Sequence, residues 1–575
     1  MDELIMVMLV IAGIIGYGIW HSWRKRMERE KRRERRNKEF GTDPMQQPGN
    51  IRCRNRLEEI RIYYEETKEE LPREQVDAVT WNDLDMDEVF LRVNHTRSYI
   101  GEQVLYRRLH AVGSRDGFES TTTKEQSTTI QTTPSTVKWE QNVTYFMEHP
   151  EQREELEAAM EGIGKTREDY YLPMFLKNAQ CLRIEHMWVY RLLQMTLLVS
   201  AILGIITGNQ TFLGILMVTA LINISIYTMS KGKYEVYLYS LGSVRQLVYF
   251  GKMLTQKEKW RERYVTEEVE QAVKALEKLS RKIGNYQGKK GGALAGDVVG
   301  VFWDYLMGAT LWDITVFGRI VNLIDGKLPE LFTLYEAVGE IDMEISVASF
   351  RASLPAYCVP ELIVNAPLST KGIYHPLLKD PVCNDFTPQK NCMITGANAS
   401  GKSTFIKAVA VNAILAQTIH TVTAEKFVMQ PMQIITSMAV RDDILSGESY
   451  YIKEVGYLKR IVEAVAVRDG MPVLCVIDEI LRGTNTKERI AASEAVCHYL
   501  AKHQCLAIVA THDMELVERL AEQYESYYFT SDIRDDDIYF DYKIYEGCGR
   551  NRNAIQLLSY MKFPEEIVSM AQMLA

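Results

Sequence analysis

The sequence has no C-x-x-C pair. Its nine cysteines are scattered over 575 residues, which excludes a zinc-ribbon spacing and a disulfide framework and reads as reduced thiols in a cytosolic compartment. It also lacks a surplus of positive charge. With 67 basic against 76 acidic residues and a net charge of −9, it cannot coat nucleic acid by global charge, so any such contact needs a local patch. Proline and glycine are too few (16 and 35) for a collagen-like or low-complexity chain, and 46% hydrophobic residues exclude wholesale disorder. The length exceeds one compact core, so several domains are expected.

Long uncharged apolar tracts are present. The first runs from Leu4 to Trp20 and, closing with Trp23, has about the 20 residues a spanning helix needs. Arg24-Lys25-Arg26 follows, then Arg29, Lys31, Arg32, Arg33, Arg35, Arg36 and Lys38. Basic flanks stay on the cytoplasmic side, so the N-terminus is expected outside and the remainder inside. Asp2 and Glu3 stand where a cleavable signal would carry positive charge. A second tract, Leu192–Met229, is interrupted by Gly208-Asn209-Gln210-Thr211 and reads as a helical hairpin with both ends inside. A buried pair of soluble core helices is the competing reading. Ala293–Phe317 is set aside as a span because Asp297, Asp304 and Asp313 interrupt it.

These tracts divide the chain into a transmembrane anchor (1–23), a basic stalk and linker (24–80), and a first helical part (81–190) with a flexible loop at 113–138. A transmembrane hairpin (191–230), a second helical part (231–360) and a C-terminal α/β domain (361–575) follow. The loop expectation rests on STTTKEQSTTIQTTPST, Ser120–Thr136. Helical patterns occupy Asp87–Leu109, Trp139–Met160, Met253–Ile283 and Leu328–Leu354. The third is heavily charged and reads as a solvated helix or a coiled-coil arm, and Pro329 suits the first turn of the fourth. After Pro355, short apolar runs at Cys392–Ile394, Gln433–Met438, Val473–Ile477 and Leu506–Ala510 alternate with helical stretches, the pattern of a largely parallel sheet.

Gly396-Ala397-Asn398-Ala399-Ser400-Gly401-Lys402-Ser403, followed by Thr404, fits G-x-x-x-x-G-K-[ST] between an expected strand and an expected helix. Such a loop turns successive N–H groups and a helix N-terminus toward phosphates. Lys402 would reach the β- and γ-phosphates of ATP, and Ser403 would ligate Mg²⁺. Asp478 and Glu479 end an apolar strand, where the first would hold Mg²⁺ and the second would deprotonate an attacking water. His512, at the end of the next strand, is placed to sense the γ-phosphate.

These segments resemble the MutS family of DNA mismatch-repair ATPases. Ile394–Thr404 is similar to its phosphate loop, with Ala397 where the family usually has proline. Asp478–Thr486 (DEILRGTNT) resembles DEIGRGT, and Ala510–Leu516 resembles the THxxEL segment. Asp442–Ser449 resembles DDLxxGxST, with Glu454 just downstream, and Leu91–Leu109 resembles the start of the family's helical core. No mismatch-reading domain fits before Trp81, so the likeness is to a membrane-associated branch without one. The resemblance implies an α-helical core and lever joined to an ABC-type P-loop ATPase domain. It also implies a homodimer in which Ser449 reaches the partner's γ-phosphate, and DNA as the ligand, with a link to mismatch repair or recombination. A membrane scaffold or transporter component without DNA binding stays open beside it.

Overall fold

The structure, a computed structural model, describes all residues except 1, 47–52, 113–133, 179, 181–182, 291–305, 307, 398–399, 439–449, 468–469, 483, 531, 535–536, 550–560, 562 and 575. Its helical part is organised around one helix, Leu328–Ala352, with Pro329 in the first turn as expected and an almost unbroken buried run from Ile341 to Arg351. It packs on Tyr99–His110, Pro134–Glu148 and Glu267–Lys290. A helix enclosed on several sides must satisfy its polar groups internally. Asp342 is fully buried and accepts from the Arg97 and Ser98 N–H groups (2.9 and 2.8 Å) and from the Ser98 hydroxyl (2.6 Å). The Ser98 oxygen in turn caps Tyr99–His110 by accepting from the Gly101 N–H at 3.0 Å.

Several expected helices are shorter than their patterns. Asp87–Leu109 divides into Met86–Val93 and Tyr99–His110 because the chain leaves helical geometry at Asn94, with Ser98 capping the second helix. Trp139–Met160 divides at His149, where Pro150 opens a new helix. Pro134–Lys138, expected in the flexible loop, is the start of Pro134–Glu148, and 113–133 lies outside the described residues. Met253–Ile283 breaks at Lys257 and again after Tyr264. It is no solvated arm. Val269, Val273, Leu276, Leu279 and Ile283 are buried at helical spacing. The 24–80 stretch is no loose linker either. Arg36 is 7% exposed and pairs with Glu161 at 2.6 Å, Glu39 pairs with Arg97 at 2.5 Å, and Ile60 and Tyr63 lie in the core.

The hairpin is Met187–Thr207 and Gln210–Gln256, joined at Gly208 (φ +64°) and Asn209, whose side chain accepts from the Thr211 N–H at 3.0 Å. The second helix does not stop at Met229. Its 47 residues, roughly 70 Å at 1.5 Å per residue, carry it into the helical core, where Leu247, Val248, Phe250 and Leu254 are buried. Among the described residues, two helical stretches are long and apolar enough to cross a membrane. Met187–Thr207 and Gln210–Ser230 each have mean hydropathy 1.9 and are only 11% and 17% buried. Leu4–Trp23 lies on a third helix, Asp2–Glu39, which is not one of these two.

The C-terminal strands are, in chain order, β1 (Glu361–Leu362), β2 (Ser369–Ile373), β3 (Asn384–Phe386), β4 (Cys392–Thr395), β5 (Lys426–Met429), β6 (Gln433–Ser437), β7 (Val473–Asp478), β8 (Cys505–Ala510), β9 (Glu525–Phe529), β10 (Asp532–Arg534), β11 (Asp537–Tyr539) and β12 (Ile544–Glu546). A six-stranded sheet has the order β12-β9-β4-β8-β7-β6, parallel except for β12, beside a four-stranded sheet β1-β5-β2-β3. Alternation along β7 sends Leu474 and Val476 toward helix Lys402–Thr418 and Val473, Cys475 and Ile477 to the opposite core. All four expected strands are present.

Glu344 is buried beneath Asn142 and Tyr264, each 2.9 Å from a carboxylate oxygen, and burial pushes its pKa up to about 8. The unfolded chain ionises near 4.5, so between these values the folded state holds one more proton and stability falls as pH rises. The slope approaches about 1.4 kcal/mol per pH unit. Thermal melts of the full chain and of Glu344→Gln from pH 5 to 8 should show the Tm of the variant gaining on that of the wild type as pH rises, by the Glu344 contribution alone.

Candidate active site

Three strand ends meet at one edge of the large sheet. The register pairs Ile394 with Ala510 and Ala510 with Asp478. Beyond it, the Glu479 N–H donates to Ala510 O (2.9 Å) and the Thr511 N–H to Ile394 O (3.0 Å). The glycine-rich loop after β4, the carboxylates ending β7 and His512 after β8 therefore share the carboxyl edge, where open parallel sheets bind ligands.

Gly396 and Gly401 make the loop possible. Gly396 has φ +147°, and a Cβ there would lie 2.8 Å from Phe529 O. Gly401 has φ +102° and caps the helix that begins at Lys402. Within the loop the Ser400 N–H donates to Ala397 O at 3.3 Å, while the fully buried Ser400 hydroxyl has no hydrogen-bond partner among the described residues. Lys402 is 6% exposed and donates to Ala397 O at 3.0 Å and to Gly396 O. Burial holds its ammonium below the ordinary lysine pKa, opposed by the Asp478 and Glu479 carboxylates and helped by Arg482. Ser403 and Thr404 are exposed on the first turn of that helix.

The Ser403 hydroxyl donates to Asp478 Oδ2 at 2.7 Å, joining the loop to the β7 carboxylate across 75 positions of sequence. Glu479 has φ +67° and Leu481 φ +56°, a conformation that costs a non-glycine residue about 1–3 kcal/mol and persists where the surroundings dictate it. Both Glu479 oxygens are engaged. His512 Nδ1 lies 2.9 Å from Oε1 and Arg482 Nε 2.9 Å from Oε2.

Arg482 has no assigned role in the sequence reading, although it lies inside the quoted DEILRGTNT segment. Its Nη2 donates to Asp478 O at 2.8 Å and sits 3.5 Å from Asp478 Oδ1. Its backbone N–H donates to the buried Glu454 carboxylate at 2.7 Å. One arginine thus holds both β7 carboxylates and ties them to helix Tyr450–Val465. Its i+3 position from Glu479 was the only signal available. Tyr542 was also missed, and its ring would lie 3.1 Å from a Cβ at Gly401. Nothing local marks it, since it arrives from beyond β11. Asn398, Ala399 and Ser449 lie outside the described residues. All other expected site residues converge on this edge.

Residues 392–575 match the family profile described as MutS domain V. The chain is 25% identical over 274 residues to the DNA mismatch repair protein MSH3 of Phaeosphaeria nodorum, covering 45% of this chain and 24% of that protein. It is 29% identical over 270 residues to the DNA mismatch repair protein MutS of Pseudothermotoga lettingae and over 272 residues to that of Fervidobacterium nodosum. Each match covers 45% of this chain and 32% of the relative. The matched part thus spans between a quarter and a third of these relatives' length.

The loop geometry can be tested directly. Gly396→Ala should lower the stability of the full chain by about 1–3 kcal/mol, because it combines a positive φ with a clash on backbone, whereas Ala397→Gly should leave it nearly unchanged. Thermal melts of the two variants make the comparison.

Proposed function

We propose, on the premise that this chain belongs to the MutS family, that residues 361–575 bind and hydrolyse ATP and that the protein is a dimeric, DNA-binding conformational switch tethered to a membrane. The observation that carries the reading is the Ser403–Asp478 hydrogen bond at 2.7 Å, beside a Glu479 held by His512 at 2.9 Å. A hydroxyl and a carboxylate brought together at the end of a phosphate loop are the hard-oxygen donors that suit Mg²⁺. When bound there, Mg²⁺ would neutralise charge on the β- and γ-phosphates.

The chain's own residues divide the remaining work. The loop N–H groups from Gly396 to Thr404 cradle the phosphates, and Lys402 exchanges its loop carbonyls for phosphate oxygens. The unpaired Ser400 hydroxyl is a spare donor at the same place. Glu479 accepts the proton of the attacking water, with His512 against one of its oxygens and Arg482 against the other. Ser449 completes the site across a homodimer, so that nucleotide binding draws two ATPase domains together and moves the helical parts they carry. DNA is the proposed ligand because the similar proteins are DNA mismatch repair proteins. Mismatch recognition itself is not part of the proposal.

The membrane tether is supported by burial. A helical hairpin of mean hydropathy 1.9 with under a fifth of each apolar window covered is unlike the core helices of a soluble protein. The basic residues after Trp23 and the Lys231 and Lys233 flank then orient the soluble parts toward the cytoplasm, with the N-terminus outside.

Lys402→Ala should abolish nucleotide binding in a fluorescent-nucleotide titration. Glu479→Gln should bind ATP normally yet slow turnover about 10²–10⁴-fold, the usual worth of a general base. Wild-type turnover in Glu479→Gln would remove the base assignment. ATPase activity of the full chain should rise with duplex or branched DNA, and that stimulation should fall about 10³-fold in apparent affinity between 50 and 200 mM salt for six phosphate contacts. ATPase indifferent to every nucleic acid would favour a scaffold or transport role.

A further inference from the structure

Two amide side chains interrupt the apolar hairpin helices, and both point at the same object. Asn223, with no exposed surface, donates to Ala309 O at 2.7 Å. Gln194 donates to Thr310 O at 2.8 Å and to Thr315 Oγ1 at 3.2 Å. Residues 308–310 end a helical turn that stops at Leu311 (φ +49°), where a new helix, Trp312–Asp325, begins. The two amides therefore bond the last carbonyls of a terminating helix, which is what backbone away from water requires.

The height of this contact follows from the helices themselves. Gln194 follows Met187 by seven residues and Asn223 precedes Ser230 by seven, so each lies about 10 Å inside its apolar tract from the core-side end. From there Trp312–Asp325 descends along the first hairpin helix. Gly318 faces Ile184 and Met187, and Asp325 pairs with Arg183 below the tract. Tyr227, Leu311 and Ile314 form a small apolar cluster with Leu193 and Ile226. On the other side, Ile283 is buried in the helical core. Ile283 and Asp325 therefore both lie on the core side of the apolar tract, whereas 308–315, between them in the sequence, lie at the level of that tract.

We propose that residues 308–315 are a re-entrant element that enters the cytoplasmic half of the lipid bilayer beside the hairpin, with its helix end capped by Asn223 and Gln194. This rests on the membrane reading above and adds a third membrane-embedded element that crosses nothing. It also explains why two amides occur in tracts otherwise built for lipid, since an uncapped carbonyl there has no water to bond. The stretch rejected as a span because of its aspartates contributes an insert. Asp313 meets Tyr227 at 3.4 Å inside the protein contact rather than facing lipid.

The test uses the full chain in vesicles of phosphatidylcholine and phosphatidylglycerol containing a phospholipid with a diazirine on its acyl chain. Crosslinked peptides are mapped by mass spectrometry. Lipid adducts on Ile205, Met217 or Leu221 report the hairpin, and adducts on Leu306, two residues before the insert and 40% exposed, report the depth of the insert. The proposal expects both. Hairpin adducts with none at Leu306, together with unprotected deuterium exchange across 308–315, would overturn it and leave the tether standing. Absence of hairpin adducts would overturn both. Asn223→Leu should speed exchange across 308–316 about tenfold, as expected for one lost hydrogen bond, while hairpin peptides stay unchanged. Equal exchange in variant and wild type would overturn the capping role.

Discussion

The register among β4, β8 and β7 is the constraint on which the site depends. Parallel pairing aligns Ile394, Ala510 and Asp478 in one row, so loops from three distant parts of the sequence emerge at the same height. A slip of one residue would turn Asp478 to the opposite face and bury it. The strain at Glu479 and Leu481 follows from the same constraint, since the chain turns sharply where the strand stops and the held carboxylates compensate through Arg482 and His512.

The same sheet is mechanically joined to the helical part by charged and polar contacts at its periphery. Arg351, 1% exposed near the end of the central helix, pairs with Glu140 at 2.6 Å and donates to Thr421 Oγ1 and His420 O at 2.9 Å each. Asp83 accepts from Thr436 Oγ1 (2.7 Å) and the Met438 N–H (3.0 Å) where β6 ends, just before the segment that carries Ser449. Arg460, on the helix whose Glu454 holds the Arg482 backbone, pairs with Asp77. Each partly buried pair is sensitive to geometry because neither member can be left unpaired cheaply. Displacement at the carboxyl edge of the sheet therefore has stiff routes into the helices.

The helix Gln210–Gln256 extends that route to the hairpin. It is continuous from an apolar, uncovered tract to residues buried in the helical core, so the tract at one end and the core at the other are connected by one rod. Ion pairs of Arg36 and Glu39 fix the basic helix that follows the first apolar tract onto the same core. If both tracts lie in a membrane, the soluble part is held at two points rather than one, which restricts its orientation.

Much of the site was legible from the order of residues. The phosphate-loop spacing, the carboxylate pair after an apolar run and the histidine after the next are local patterns, because a strand followed by a tight turn and a helix is specified within about ten residues. The hairpin turn and the sheet strands were legible for the same reason. Helix ends were less so. Charge obscured the buried stripe of Val269–Ile283, and periodicity carried through the breaks at Asn94 and His149. The tie of Arg482 to Glu454, Tyr542 over Gly401 and the caps from Asn223 and Gln194 depend on contacts between residues 28 to 141 positions apart (482 − 454; 542 − 401), which no local pattern encodes. Sequence determined which segments are strands, loops and apolar tracts, since those follow from each residue's neighbours. Only packing decided which side chains meet, because that depends on where the whole chain finds room.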